Sequence, residues 1–124
     1  MTLNELRDKV FAYAGRRGFH EQPPNFREQI AFAMAELAEA LKADRSGKWG
    51  KWLDEQISFE RDLFRMGTLD YEYFVLGTVE EKIANTVICL CNIAGIYKID
   101  LESHVNAKMT YNEMRPPIGV RKNL

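Results

Sequence analysis

An all-α domain built as a bundle of four or five helices is the fold this sequence predicts, on three observations. Apolar residues recur at helical spacing in long stretches, and no stretch shows the strict alternation of a half-buried strand. Cap-forming residues precede the periodic stretches, with glycine or proline behind them. No internal repeat, glycine-rich phosphate loop or heptad array interrupts the pattern. The 124 residues suit one domain over 1–124, large enough to hold a core without disulfides or metals.

The first helix runs from Leu3 to Ala14, with Leu3, Leu6, Val10, Phe11, Tyr13 and Ala14 at helical spacing and Arg16, Arg17 and Gly18 closing it. Phe19 to Asn25 contains Pro23 and Pro24 and is therefore a loop, with Asn25 placed to cap the next helix. His20 lies in this loop beside an aromatic residue. The second helix covers Gln29 to Ala43. Within it Glu36 and Glu39 share one side, because i and i+3 stand one above the other. Ile30, Met34, Leu37 and Leu41 lie on a neighbouring arc, so the carboxylates border the expected buried stripe. The alanines at 31, 33, 35, 38 and 40 keep this helix narrow and allow another element to approach closely.

Asp44 to Trp52 carries two glycines, three basic residues and both tryptophans, a loop composition. Trp49 and Trp52 either bury themselves under the loop or stack on a nucleotide base whose phosphates meet the basic residues. Leu53 to Phe74 reads as an irregular helix and a loop. Thr78 with Glu81 three residues on forms a capping box opening a third long helix, Val79 to Tyr97. Its apolar stripe is Ile83, Val87, Leu90, Cys91 and Ala94, and Glu81, Asn85, Ile88 and Asn92 lie on an arc beside it. Asp100 caps a last helix from Leu101 to about Met114, along which Lys108, Tyr111, Asn112 and Arg115 converge on one face. Pro116 and Pro117 end it. The tail, 118–124, is expected to be flexible, with Arg121 and Lys122 able to fold over a phosphate.

A net charge of −1 with 28% charged residues gives no basic field of the kind that tracks nucleic acid. No apolar run approaches the ~20 residues of a membrane span, and the opening residues lack the apolar segment of a signal peptide, so a cytoplasmic protein is expected. Cys89 and Cys91 stand at i,i+2 in an apolar run and read as reduced core thiols.

If the acidic side of the second helix faces the polar arc of the third, Glu36, Glu39, Glu81 and Asn85 supply oxygen ligands suited to Mg²⁺ or Mn²⁺. Such ions bridge phosphate oxygens and activate water, so the matching substrate is a di- or triphosphate and the reaction a hydrolysis at phosphorus, with Lys108, Asn112 and Arg115 binding the charge. Without a cation the carboxylates repel one another. The plain alternative is a solvated helix face.

The order of these residues resembles a known family. Phe19-His20-Glu21-Gln22-Pro23-Pro24-Asn25 is followed by Glu36-Leu37-Ala38-Glu39-Ala40-Leu41, then Gly77-Thr78-Val79-Glu80-Glu81. Ile99-Asp100-Leu101-Glu102, Lys108-Met109, Asn112 and Arg115-Pro116 complete the set. Together they are similar to the all-α nucleoside triphosphate pyrophosphohydrolases of the MazG-like group, over most of the chain. The resemblance implies Mg²⁺-dependent cleavage of nucleoside triphosphates to monophosphate and pyrophosphate, in a homodimer or homotetramer with sites between subunits. It implies metal binding and catalysis by Glu36, helped by Glu39. It further implies nucleotide contacts by His20, Lys108, Asn112 and Arg115, and an aromatic contact to the base from the region of Trp49 and Trp52. The chain departs from the family at two places. Phe32 and Ala33 stand where paired glutamates are expected one turn before Glu36, and Lys82-Ile83-Ala84-Asn85 stands where Glu-x-x-Asp is expected. Either Glu81 substitutes as a ligand, or Lys82 pairs with Glu36 or Glu39 and replaces the metal's charge without its chemistry. The expected functions are thus a pyrophosphohydrolase, a homologue that binds nucleotide or a protein partner without hydrolysis, or a helical interaction module.

Overall fold

The computed structural model describes residues 1–50, 71–72 and 75–117. Four long helices occupy these residues: α1 Leu3–Arg16, α2 Phe26–Arg45, α3 Val79–Ile96 and α4 Leu101–Met114. No strand occurs among the described residues, and the all-α expectation holds. The reading of Leu53 to Phe74 and of the tail falls almost wholly outside the described residues, as does Trp52.

Each helix begins where a side-chain oxygen can take an orphan amide. Thr2 forms a complete capping box with Glu5, Asn25 accepts from the Glu28 amide at 3.1 Å, and Asp100 accepts from the Ser103 amide at 3.1 Å. The box expected at Thr78 is half made. Thr78 Oγ1 accepts from the Glu81 amide, but the Glu81 carboxylate reaches past Thr78 to the Gly77 amide at 3.1 Å. Helix α2 starts at Phe26 and not at Gln29, because the Asn25 cap fixes its start ahead of any apolar periodicity.

Three helices end in the same Schellman arrangement, in which the amide two residues past the cap returns to the carbonyl three residues inside. The pairs are Phe19 to Ala14 at 3.0 Å, Lys48 to Ala43 at 2.8 Å and Ile99 to Ala94 at 2.8 Å. The residue between cap and returning amide must be left-handed. Gly18 and Gly47 meet that demand at φ +85° and +68°, and Lys98 meets it at φ 53° with a full side chain.

Helix α3 is central, flanked by α1 and α2. Its buried residues are Val79, Glu81, Thr86, Cys91, Ile93 and Ala94, and opposite them α2 buries Ala33, Ala40 and Ala43. Of the alanines expected to admit another element, Ala33 and Ala40 are buried, whereas Ala31, Ala35 and Ala38 are exposed. The expected apolar stripes are realised only in part, for Cys91 and Ala94 are buried and Ile30 is half-buried. Met34, Leu37 and Leu41 of α2 are exposed, as are Ile83, Val87 and Leu90 of α3. Both helices carry apolar residues on two sides, and the side with the smaller residues packs inward because it lets the backbones approach. Cys91 is buried, but Cys89 is only half-buried, which corrects its reading as a core thiol. On the other flank, Gly95 lies against Phe11 so tightly that a Cβ there would meet Phe11 Cβ at 2.7 Å.

Helix α4 turns away from α3 by 114°, packs on α1 and buries none of its residues. Its start is clasped to the start of α1. Asn4 donates to Asp100 Oδ1 at 3.0 Å and accepts from the Glu102 amide at 3.1 Å, while Glu102 Oε1 accepts from the Leu3 amide at 3.0 Å. Arg7 donates to the Ile99 carbonyl at 2.7 Å. No single helix among the described residues is long and apolar enough to cross a membrane.

Candidate functional site

The polar seam forms between α2 and α3, and its centre is Glu36. The buried alanines of α2 bring the helices close enough for short side chains to meet, and Asn85 donates from Nδ2 to Glu36 Oε2 at 2.8 Å. Lys82 completes the group, its Nζ 3.7 Å from Glu36 Oε2 and 3.6 Å from Glu81 Oε1. Both carboxylates therefore share one ammonium in a place where Glu81 is 9% exposed, Lys82 22% and Glu36 25%. Tyr71 stands in the same field. Burial first, then the charge of Glu81, raises its phenol, and Lys82 opposes that rise.

A divalent ion is what the resemblance implies here, and the side chains as folded do not fit one. Lys82 holds the position between the acids, and its charge repels a second cation. Asn85 presents its N–H₂ to Glu36 where a ligand would present oxygen. Glu81 spends Oε1 on the Gly77 amide and Lys82, and Glu39 is exposed, joined to none of the others by a described bond. No three histidine, cysteine or acidic side chains converge among the described residues. Of the expected set, the fold brings together Glu36, Glu81 and Asn85, with Lys82 in their midst, and leaves Glu39 apart.

The nucleotide-contact set is likewise divided. His20 packs on the Phe11 ring, centroids 4.5 Å apart, and its Nε2 lies 2.9 Å from Asn92 Oδ1. That oxygen only accepts, so Nε2 carries the proton and the imidazole ties the loop to α3. Trp49 is exposed, donates to Asp44 Oδ1 at 2.9 Å, and lines a shallow apolar hollow of about 600 Å³ with Met34, Leu37, Leu41, Val79 and Ile83. Lys108 and Arg115 both sit over the Tyr111 ring, at 4.9 and 5.6 Å from its centroid, and Asn112 is exposed beside them. The convergence expected along α4 is present, on the helix that packs on α1.

Gln29, given no role from the sequence, lines the far end of the seam. On α3, Lys82, Asn85, Cys89 and Asn92 succeed one another at helical spacing, and beyond them the Phe19–Asn25 loop encloses two hollows. One, of about 290 Å³, is bordered by Phe19, Gln29, Phe32, Cys89 and Asn92 among others. The second, of about 190 Å³, is bordered by Phe11, Phe19, His20 and Gln29. Gln29 Oε1 is shut from solvent and has no donor, at a cost on the order of 1–3 kcal/mol. Burial, then the charge of Glu36, raises the Cys89 thiol above its ordinary value. The loop and Asn92 carried a sequence signal, but Gln29 showed only as a glutamine one turn past a helix cap, which is common on solvated helix starts.

Compared with protein-family models, with curated proteins and with solved structures, the chain finds no match.

Proposed function

We propose that this chain is a MazG-like pyrophosphohydrolase scaffold that binds a nucleotide and does not hydrolyse it with its own carboxylates. The observation that carries the reading is the Lys82 ammonium bridging Glu36 and Glu81, with the Asn85 amide donating to Glu36. An internal cation neutralises the acids that would otherwise recruit a metal, and an ammonium cannot polarise a water as Mg²⁺ does. It does offer three donors to phosphate oxygens. The cations gathered about Tyr111 on α4 are a second group suited to phosphate.

The partner in this reading is a second copy of the chain. Met34, Leu37, Leu41, Ile83, Val87 and Leu90 are exposed on α2 and α3, and Trp49 is exposed just past the end of α2. Met34, Leu37, Leu41, Trp49 and Ile83 border one hollow, and a contiguous exposed apolar patch is the mark of an interaction surface.

The experiment pairs calorimetry with pyrophosphate detection. Wild-type protein is titrated with nucleoside triphosphates with and without Mg²⁺ or Mn²⁺, beside the double variant Lys82→Glu with Asn85→Asp. The expected result is nucleotide binding by the wild type without pyrophosphate release, and metal binding gained by the double variant. Pyrophosphate release by the wild type would replace this reading with an active Mg²⁺-dependent pyrophosphohydrolase in which Lys82 swings aside. Absence of any nucleotide binding would leave a helical interaction module.

A further inference from the structure

We infer that the two hollows beside the Phe19–Asn25 loop form one site for a planar heteroaromatic ring, a nucleobase, read by the amide of Gln29; this rests on the nucleotide reading above. The hollows share Phe19, Gln22, Pro24 and Gln29 as their common wall, and together they reach the size of small-molecule sites, ~300–1,000 Å³.

Gln29 Oε1 is the only buried side-chain acceptor without a donor among the described residues. A rotation of the amide brings that oxygen to the larger hollow, where a ring N–H or exocyclic amine supplies the missing donor. The amide N–H₂ then meets the adjacent ring acceptor, the two-point pairing that glutamine makes with base edges. Phe19 and Phe32 stand at the rim with 70% and 65% of their surface exposed, and a base stacks on such rings whatever its sequence of ring atoms.

The alternative at Trp49 lacks a reader. Its hollow is lined by apolar side chains and Asp44, and Asp44 is engaged by the indole. Register along α3 also favours the Gln29 end. Lys82 and Asn92 are separated by about 15 Å of helix, comparable with the reach of an extended nucleoside triphosphate from ring to terminal phosphate. A ring among Gln29, Phe32 and Asn92 therefore lays its phosphates along the seam toward the Lys82 ammonium.

The test uses ¹⁵N-labelled full-length protein titrated with cytidine, uridine, adenosine and guanosine, with inorganic tripolyphosphate as the phosphate-only probe. At least one nucleoside should shift the Gln29 side-chain amide saturably. Gln29→Leu, similar in volume, should weaken that nucleoside about tenfold or more, leave tripolyphosphate affinity within about twofold, and raise the melting temperature by removing the orphan oxygen. A purely structural glutamine would move the melting temperature and not the nucleoside affinity. Phe32→Ser, at an exposed position, serves as a second variant and should weaken the same nucleoside. If triphosphates bind while no nucleoside perturbs Gln29, or if Gln29→Leu leaves nucleoside affinity unchanged, the cavity assignment falls and the nucleotide reading stands. If neither nucleotides nor tripolyphosphate bind, both fall.

Discussion

Lys98 holds a left-handed backbone that its side chain disfavours by roughly 1–2 kcal/mol, at a turn whose two counterparts employ glycine. Lys98→Gly should therefore stabilise the protein by about 1 kcal/mol, less the entropy glycine adds to the unfolded chain. A rise in urea midpoint at constant slope checks it. Gly95 represents the opposite case. Its neighbour is not its own backbone but Phe11, and a Cβ at 2.7 Å from Phe11 Cβ forces α1 and α3 apart. Gly95→Ala should cost about 1–3 kcal/mol despite alanine's better helix propensity, which equilibrium unfolding would reveal. Such residues show why sequence reading stops where it does. Gly18 and Gly47 announce their turns, whereas Lys98 gives no sign of one, and Gly95 looks like a helix interruption until the ring beside it is seen.

At the scale of elements, the clasp between the starts of α1 and α4 makes a pH-dependent contribution. Asp100 accepts from Asn4 first, then from the Ser103 amide and hydroxyl, and its carboxyl is lowered from 3.8 to about 2. The unfolded chain binds that proton more readily, so acid favours unfolding. The contribution is complete above about pH 4 and is lost as pH falls toward 2. Asp100→Ala should flatten that part of the stability profile between pH 4 and 2, measured by urea midpoints at each pH; an unchanged slope would refute the assignment. Helix positions were legible in the sequence because caps and periodicity are local, and the boundaries of α4 agree to the residue. Which side of a helix turns inward was not. The large apolar residues of α2 suggested its buried face, yet Ala33, Ala40 and Ala43 occupy it, since a choice between two apolar sides belongs to the packing partner.

For the whole molecule, the exposed apolar residues Met34, Leu37, Leu41 and Ile83 border one hollow beside the Ala40–Val79 contact of α2 and α3. Leu37→Asp with Ile83→Asp should leave the fold intact, since both residues are exposed, and should shift the protein toward monomer in sedimentation analysis. A wild type that sediments as a monomer at all concentrations would remove the second copy from the proposal. The candidate site was half legible at this scale. Facing polar seams were foreseen, as was a Lys82 pair with a glutamate, because residues on one helical arc must share a neighbour. The hollow at Gln29 was invisible, because it is made by a loop folding back over two helices.

The buried alanine contact also limits what position 33 can hold. Ala33, one turn before Glu36, is 5% exposed, so a glutamate introduced there would have to push its carboxylate into the buried contact with α3. An acidic side chain at that turn thus requires the helices to separate first, so a single substitution at position 33 cannot supply one to the seam.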